Sequence, residues 1–280
     1  LKSLQKSCRD FDADEIIIAW DGQGGSQKRK DMDKGYKAGR KPVRFNRRMF
    51  ELSDTEQEDN KAYQYVRLIE YLNEMPIIQL IIDYVEADDI IAYLDGHEKY
   101  QEYHKYIISS DRDFFQLVGD QTSLYRPIQK KLVDKVSLVS EHGIHPNNFA
   151  LARAIAGDKS DNLSGVPRVG LKTIKSRFPF MADEKIQTVK TLTEYCKGLD
   201  KKVSAHTKII EHAELIQHNY EIMQLYDPLI GGNAIRQIDY AVENFEPEFN
   251  KLGLQKLLMK DGQITMKLDD LYRILKQIIS

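Results

Sequence analysis

The sequence predicts an alternating α/β fold with a central, mostly parallel sheet and a helical second half. Three observations predict it. Strand-like apolar runs lead to carboxylates at Asp21, Glu86 and, after Ser109 and Ser110, Asp111. The second and third runs pass at once into helix-forming or apolar patterns, with Ile90, Ile91 and Leu94 after one and Phe114, Phe115, Leu117 and Val118 after the other, the alternation of a parallel sheet. Beyond residue 181 the patterns read as helices.

The elements follow in order. Residues 1–11 read as a helix. Residues 16–20 are a β run closed by Asp21 and Gly22, an acid and a turn residue. Ser53, Asp54, Thr55 and Glu56 form a capping box that opens a helix with Ala62, Tyr65, Ile69 and Leu72 on its core face. Residues 77–85 are strand-like and lead into Glu86-Ala87-Asp88-Asp89, at a helix start. Residues 106–108 lead into Ser109-Ser110-Asp111-Arg112-Asp113. Residues 123–138 read as an edge strand pair blunted by Lys130 and Lys131. An apolar helix at 149–155 precedes Gly157-Asp158-Lys159-Ser160-Asp161-Asn162 and the hairpin Gly165-Val166-Pro167-Arg168-Val169-Gly170. Residues 207–225 read as one helix with Ile209, Ala213, Ile216, Tyr220 and Met223 on one face, and 268–279 as a final amphipathic helix after a turn at Asp261-Gly262.

Composition narrows the function. The 280 residues are 41% hydrophobic and 30% charged, which is globular material able to bury a core. No apolar run approaches the roughly 20 residues of a membrane span, and the opening residues carry no signal-peptide core, so a cytoplasmic protein is expected. Cys8 and Cys196 are the two cysteines; a disulfide scaffold and a zinc finger are excluded. The seven histidines form no metal set, and His142 and His145 read as loop residues.

The 41 basic and 43 acidic residues nearly cancel, but they are segregated. Residues 28–48 hold ten Lys or Arg against Asp31 and Asp33. Such a block attracts phosphates, and Tyr36, Phe45 and Phe50 could stack on unpaired bases; a solvated surface loop would carry the same charge. The acids are more specific. In a parallel sheet the carboxyl ends of the strands gather on one edge, which would bring together Asp21, Glu86, Asp88, Asp111 and Asp113. Any one of these could be a turn or cap residue; together they repel unless a cation neutralises them. Oxygen ligands without His or Cys suit Mg²⁺ or Mn²⁺. Two such ions about 3.5–4 Å apart support phosphodiester hydrolysis. The glycine hairpin between two helical stretches suits a phosphate backbone, its N–H groups joined by the next helix N-terminus and by Lys172 and Lys175; a plain helix–helix turn looks the same in isolation.

Taken together these motifs resemble the 5′ nuclease family, which includes flap endonucleases and the 5′→3′ exonuclease domain of DNA polymerase I. The resemblance rests on W-D-G at Trp20 to Gly22, Y-K-A-G-R at Tyr36 to Arg40, E-A-D-D at Glu86 to Asp89, S-S-D-R-D at Ser109 to Asp113 and G-D-K-S-D-N-L-S-G-V-P-R-V-G from Gly157 to Gly170. The stand-alone size is similar to the small bacteriophage members, including the phage enzyme called RNase H. The resemblance implies a Rossmann-like (PIN-like) core at residues 1–140 with a helical arch at about 28–60, and a helical region at 141–280 with a helix-hairpin-helix at about 147–180 and C-terminal helices on the core. It assigns metal ligation to Asp21, Glu86, Asp88, Asp89, Asp111, Asp113, Asp158 and Asp161, with one ion on Glu86, Asp88 and Asp111 and a second on Asp113, Asp158 and Asp161. Lys37 and Arg40 match the family's basic pair and are expected on the scissile phosphate. Lys28, Arg29, Tyr36, Arg44, Arg47, Gly165, Arg168, Gly170, Lys172 and Lys175 are expected on DNA, with a K⁺ ion at the hairpin. The family begins with a strand ending in another Asp ligand; this sequence opens instead on the helical 1–11 stretch, and a truncated N-terminus is expected.

The expected function is a divalent-metal-dependent 5′ nuclease, exonuclease and flap endonuclease, acting on 5′ flaps, nicks and RNA primers in replication or repair, with RNase H activity included. A monomer in the cytoplasm, or in a host's if phage-encoded, is expected. The last helix docks on the body or meets a clamp or a single-strand binding protein. Two alternatives stand beside this: a catalytically impaired junction-binding protein of the same fold, and a Rossmann-like phosphatase or nucleotide-binding protein. The second leaves the basic block and the hairpin unexplained and lacks a G-x-x-x-x-G-K loop.

Overall fold

The structure, a computed structural model, describes residues 1–39, 53–263 and 268–279, without the side chains of residues 54 and 277. Along the chain run α1 (Lys2–Phe11), β1 (Ile17–Trp20), α2 (Gln27–Met32), α3 (Asp54–Asn73), β2 (Ile78–Ile81), α4 (Ala87–Asp95), β3 (Lys105–Ile108), β4 (Thr122–Arg126) and β5 (Lys131–Val133). There follow α5 (Lys135–His142), α6 (Pro146–Ala156), the two-residue strands β6 (Gly157–Asp158) and β7 (Leu163–Ser164), α7 (Leu171–Arg177), α8 (Val189–Gly198), α9 (Ser204–Glu211), α10 (Ala213–Met223), α11 (Gly232–Glu243), α12 (Lys251–Lys260) and α13 (Leu268–Ile279). Among the described residues no helix is long and apolar enough to cross a membrane.

The chain divides into two compact units, one of residues 1–20, 41–82 and 232–280 and the other of residues 21–40 and 83–231. This differs from the boundary expected at residue 140. Hydrophobic packing is the reason: the last helices share a core with the first helix and not with the segment before them.

In the first unit β1 lies parallel to β2, from Ile17 opposite Ile78 to Trp20 opposite Ile81. The capping box at the head of α3 is formed: Ser53 Oγ accepts the Glu56 N–H at 3.3 Å and Glu56 Oε2 accepts the Ser53 N–H at 2.8 Å. The inward face of α3 departs from expectation. Leu72 is buried, but Ala62 and Tyr65 are exposed. Only the last turns reach the core, and Arg67 and Tyr71 bind Asp261 in the turn after α12, Arg67 Nε at 2.9 Å. That core joins Cys8, Leu72, Ile77, Leu254, Leu271 and Leu275. It takes up the apolar face of α13, which therefore docks within its own unit.

In the second unit β3 pairs parallel with β4, and β4 pairs antiparallel with β5 as the expected edge hairpin. Among the described residues the parallel strands thus form two sheets, β1–β2 and β3–β4–β5. Helix α6 is the spine of this unit. Its Phe149, Leu151 and Ile155 are buried with Phe115, Ile174 and Phe178. His145 lies in the loop between α5 and α6, as expected, and its ring Nδ1 accepts the Asn147 N–H at 3.2 Å to cap α6; His142, expected in a loop, instead closes α5. The single helix expected at 207–225 is two, α9 and α10. The chain breaks at His212, where φ is −109°. The break lets α10 turn onto α6, where Asn219 Nδ2 donates to the carbonyls of Ala154 and Ser164 at 2.9 Å each.

Two glycines set the crossing that follows α6. Gly157 has φ 74°, and a Cβ there would lie 2.3 Å from the Gly165 nitrogen. A Cβ on Gly165 would lie 2.2 Å from the Ala156 carbonyl carbon. Backbone contact this close admits no side chain, and it fixes the β6–β7 ribbon that carries Asp158 and Asp161. Gly165→Ala is expected to destabilise the protein by several kcal/mol, whereas Gly170→Ala, with nothing within 4 Å of its Cβ position, is expected to be near neutral. Denaturant midpoints of the two variants check this; equal shifts would contradict the crossing.

Candidate functional site

All described residues of the candidate site belong to the second unit. It begins with short-range order. Asp21 Oδ1 accepts the Ala87 N–H at 3.0 Å, so a side chain from the end of the first β run caps α4. Gly22 N–H donates to Val85 O at 3.1 Å and Tyr84 N–H to Gln23 O at 2.9 Å. These bonds join the turn after Asp21 to the segment that delivers Glu86, Asp88 and Asp89. A second turn, residues 33–37, is joined to the 161–162 segment. Lys37 N–H donates to Asp161 O, and Asn162 Nδ2 to Gly35 O, both at 2.9 Å.

Arg29 is the buried cation of the site, only 4% exposed. Its Nη1 reaches Glu86 Oε2 at 2.5 Å and Asp89 Oδ2 at 2.6 Å, its Nη2 reaches Asp89 Oδ1 at 2.9 Å, and its Nε donates to Ile222 O at 2.9 Å. Asp89 Oδ1 also accepts the Leu229 N–H at 3.1 Å. Burial alone would pull the guanidinium down, but the Asp89 and Glu86 carboxylates outweigh it and hold Arg29 above its ordinary value. Removing one partner from a buried, paired cluster of this kind costs about 3–5 kcal/mol. Glu86 is 3% exposed and meets two further donors, Lys37 Nζ on Oε1 and the Tyr36 hydroxyl at 3.4 Å on Oε2. Burial, then the charge of Glu86, pushes the Tyr36 phenol far up, so it stays a donor.

The remaining carboxylates come from two further turns, after β3 and between β6 and β7. Asp111 follows β3, and its Oδ1 accepts the Asp113 N–H at 2.9 Å. Asp158 Oδ1 accepts both the N–H and the hydroxyl of Ser160, at 2.7 and 2.6 Å. Arg153, from α6, donates Nε to Asp113 Oδ1 at 3.0 Å and Nη2 to Asp158 Oδ2. One carboxylate oxygen from each of Asp113, Asp158 and Asp161 lies within 4.8 Å of the others. Burial, then the charge of Asp111, pushes the Asp88 carboxyl up to about 7. Burial pushes Asp113 up to about 6 against the pull of Arg153. Asp158 goes the other way: the Ser160 hydroxyl and Arg153 outweigh its burial and hold it low. An all-oxygen donor set of this charge fits a hard divalent cation.

The structure redistributes several expected roles. Asp113, Asp158 and Asp161, expected on one ion, come together. Glu86 sits among cations, and Asp89 is taken up by Arg29 and the Leu229 N–H, which makes it a structural anchor for Arg29. Arg29 and Tyr36, expected on DNA, are buried, Tyr36 at 5% exposure against Leu163, Ile222 and Met223; the buried carboxylates draw them inward. Lys28 Nζ donates to Leu229 O at 2.7 Å. Lys175 Nζ donates to Ser140 O at 3.2 Å and Glu141 O at 2.9 Å and satisfies the end of α5. Arg168 and Lys172 are exposed at the hairpin, where Val166 and Val169 turn inward. Gly165 is taken up by the backbone crossing, and Gly170 precedes α7 as its cap. Arg40, Arg44 and Arg47, with the rest of residues 40–52 of the expected arch, lie outside the described residues. Arg153 is absent from the sequence-based expectations; its signal is a lone cation in the otherwise apolar run from Phe149 to Ala156. Ser160 and Asn162 are absent from them as well, though D-x-S is a sequence mark of an Asp-headed turn.

The raised Asp88 carboxyl has a testable sign. Its value in the unfolded chain is near 3.8 and its folded value about 7, so between those limits the folded state holds more protons and stability falls as pH rises. The cost is absent below pH 4 and full above pH 7. Asp88→Asn is expected to raise the melting temperature of the metal-free protein at pH 8 and to lose that advantage at pH 4. Thermal melts in chelator check this; no gain at pH 8 would contradict the burial of an ionised Asp88.

Comparison with known proteins places the chain. The profile described as 5′-3′ exonuclease, N-terminal resolvase-like domain, matches residues 1–143, just over half of it. The thermostable DNA polymerase I of Thermus aquaticus is 27% identical over 252 residues, 90% of this chain and 27% of that protein. The 5′-3′ exonuclease of Halalkalibacterium halodurans is 29% identical over 212 residues, 74% of this chain and 64% of that protein. The chain thus spans about a quarter of the length of such polymerases. The solved T5 5′-exonuclease with divalent zinc ions bound shares the fold, with a TM-score of 0.63 at 20% identity, covering 95% of this chain and 89% of that one. By its sequence match the chain belongs to the 5′-3′ exonuclease family.

Proposed function

We propose that the chain is a divalent-metal-dependent 5′ nuclease that hydrolyses phosphodiesters at 5′ flaps, nicks and RNA primers in DNA. The observation that carries this reading is the meeting of Asp113, Asp158 and Asp161 within 4.8 Å, beside Asp88 and Asp111, whose charges oppose one another. Family membership supports it, and so does a T5 flap endonuclease of similar fold, solved as a complex with DNA and metal ions. Two or more Mg²⁺ or Mn²⁺ ions, on Asp113, Asp158 and Asp161 and on Glu86, Asp88 and Asp111, would supply Lewis-acid assistance to the hydrolysis.

The chain's own residues do the rest. Arg153 shares the charge of Asp113 and Asp158 and fixes their spacing. Ser160 orients Asp158 by two hydrogen bonds. Arg29 holds Glu86 from behind. Lys37, its side chain 18% exposed, keeps a cation at the rim where it can meet a phosphate oxygen; Arg40 is read as its partner there. The hairpin with exposed Arg168 and Lys172 is the duplex-binding element of this reading, with K⁺ at its carbonyls as the resemblance implies. A clamp or single-strand binding protein would have to meet the outer face of α13, because Leu271, Leu275 and Ile278 are buried in the first unit. The reading is completed by a monomer working in the cytoplasm, with RNA–DNA hybrids among its substrates.

The experiment compares wild type and Asp158→Asn on a labelled 5′-flap, a nicked duplex and an RNA–DNA hybrid, with Mg²⁺ or Mn²⁺. The variant is expected to lose at least about a hundredfold in single-turnover rate, equivalent to ~2.7 kcal/mol of barrier, with flap affinity changed by less than about threefold. Normal turnover by the variant would refute the assignment. A wild-type chain that binds the flap without cutting it would be a junction-binding protein of this fold.

A further inference from the structure

Tyr84 stands in a conformation its side chain does not favour. Its φ is 62°, left-handed backbone in which a bulky residue is an outlier and glycine is at ease. Two hydrogen bonds clamp it there. Tyr84 N–H donates to Gln23 O at 2.9 Å, and the next residue's carbonyl, Val85 O, accepts the Gly22 N–H at 3.1 Å. Burial does not offset the strain, because Tyr84 is 62% exposed. Its ring lies against Gly24, where an added Cβ would come within 3.0 Å of Tyr84 Cδ1 and Cε1. The glycine lets the ring rest on bare backbone, with most of the residue left in solvent. Strain that burial does not compensate is a mark of function when it sits at a site.

The position supports that reading. Tyr84 is two residues before Glu86, at most about 7 Å along the chain. The turn under its ring begins at Asp21. Both segments that hold the ring also deliver carboxylates to the candidate centre. We infer that Tyr84 is a stacking platform for one unpaired base of the DNA strand beside the cleaved bond. A rigid, exposed aromatic ring next to a phosphodiester-cutting centre offers a face that every base can use without regard to sequence. It is also held in advance, so little freedom is lost on binding. Tyr36, one of the three aromatics the sequence offers for stacking, is buried; Phe45 and Phe50 lie outside the described residues. The inference rests on the nuclease reading above.

The test uses 5′-flap DNA with 2-aminopurine at successive unpaired positions next to the junction. It is titrated with the full chain in chelator, and cleavage of the same DNA is followed with Mg²⁺. Wild type and Tyr84→Phe are expected to quench the probe at one position. Tyr84→Ala and Tyr84→Gly are expected to lose that quenching and to bind about tenfold more weakly, within the range of about fivefold to a hundredfold for one stacked base. Tyr84→Gly should also melt at a higher temperature than wild type, because glycine takes φ 62° without strain; that rise shows the weaker binding does not come from misfolding. Wild-type quenching and affinity in Tyr84→Gly would overturn the inference. So would a wild-type chain that cleaves the flap while quenching the probe nowhere, and the nuclease reading would then survive. A wild-type chain that neither binds nor cleaves would overturn both.

Discussion

The second unit depends on the balance between carboxylates brought to one place and the cations set among them. Asp88 and Asp113 ionise late because they are buried close to other negative charge. Two arginines limit the repulsion. Arg29 takes Glu86 and Asp89, and Arg153 takes Asp113 and Asp158. Arg153 sits on the buried helix α6 and is held there by packing, whereas Arg29, on the polar α2, is steadied by its bond to the Ile222 carbonyl. A cluster of this kind is a poor source of stability, since desolvation offsets much of the attraction. What it contributes is the position it gives the remaining oxygens.

That position is assembled from backbone events that look unrelated in sequence. The contact of Gly157 with Gly165 turns β6 so that Asp158 faces Arg153. The bonds from Lys37 and Asn162 tie the 33–37 turn to the Asp161 segment. The cap from Asp21 to Ala87 fixes the start of α4, and with it Glu86, Asp88 and Asp89. Hydrogen bonds of ordinary strength, each worth about 1 kcal/mol net, therefore decide where a much larger electrostatic energy is expressed. The same clamping explains Tyr84: the bonds that order the start of α4 also hold a ring in solvent beside the site.

Much of this is legible in the sequence, for local reasons. Capping at Ser53, the acid-ended β runs and the glycine hairpin are short-range signals, and each lies where its residues stand. The long-range features are not legible. Arg29 is one of ten cations in a basic block, and nothing in the block distinguishes the one that turns inward. Arg153 binds Asp113 across forty positions. The faces of α3 mislead because a helix partly out of the core still shows an apolar period. Residues 207–225 suit one continuous helix, and the break at His212 is imposed by packing on α6. The division into units joins residues 1–20 to 232–280 through a hydrophobic core that no local pattern announces.

Metal placement tests the central claim most directly. Crystals of the chain soaked in Mn²⁺ and measured near the manganese absorption edge should give an anomalous peak among the carboxylates of Asp113, Asp158 and Asp161, and the Asp158→Asn protein should lose it. No peak at that place in well-ordered crystals, or a peak that survives the substitution unchanged, would contradict the account.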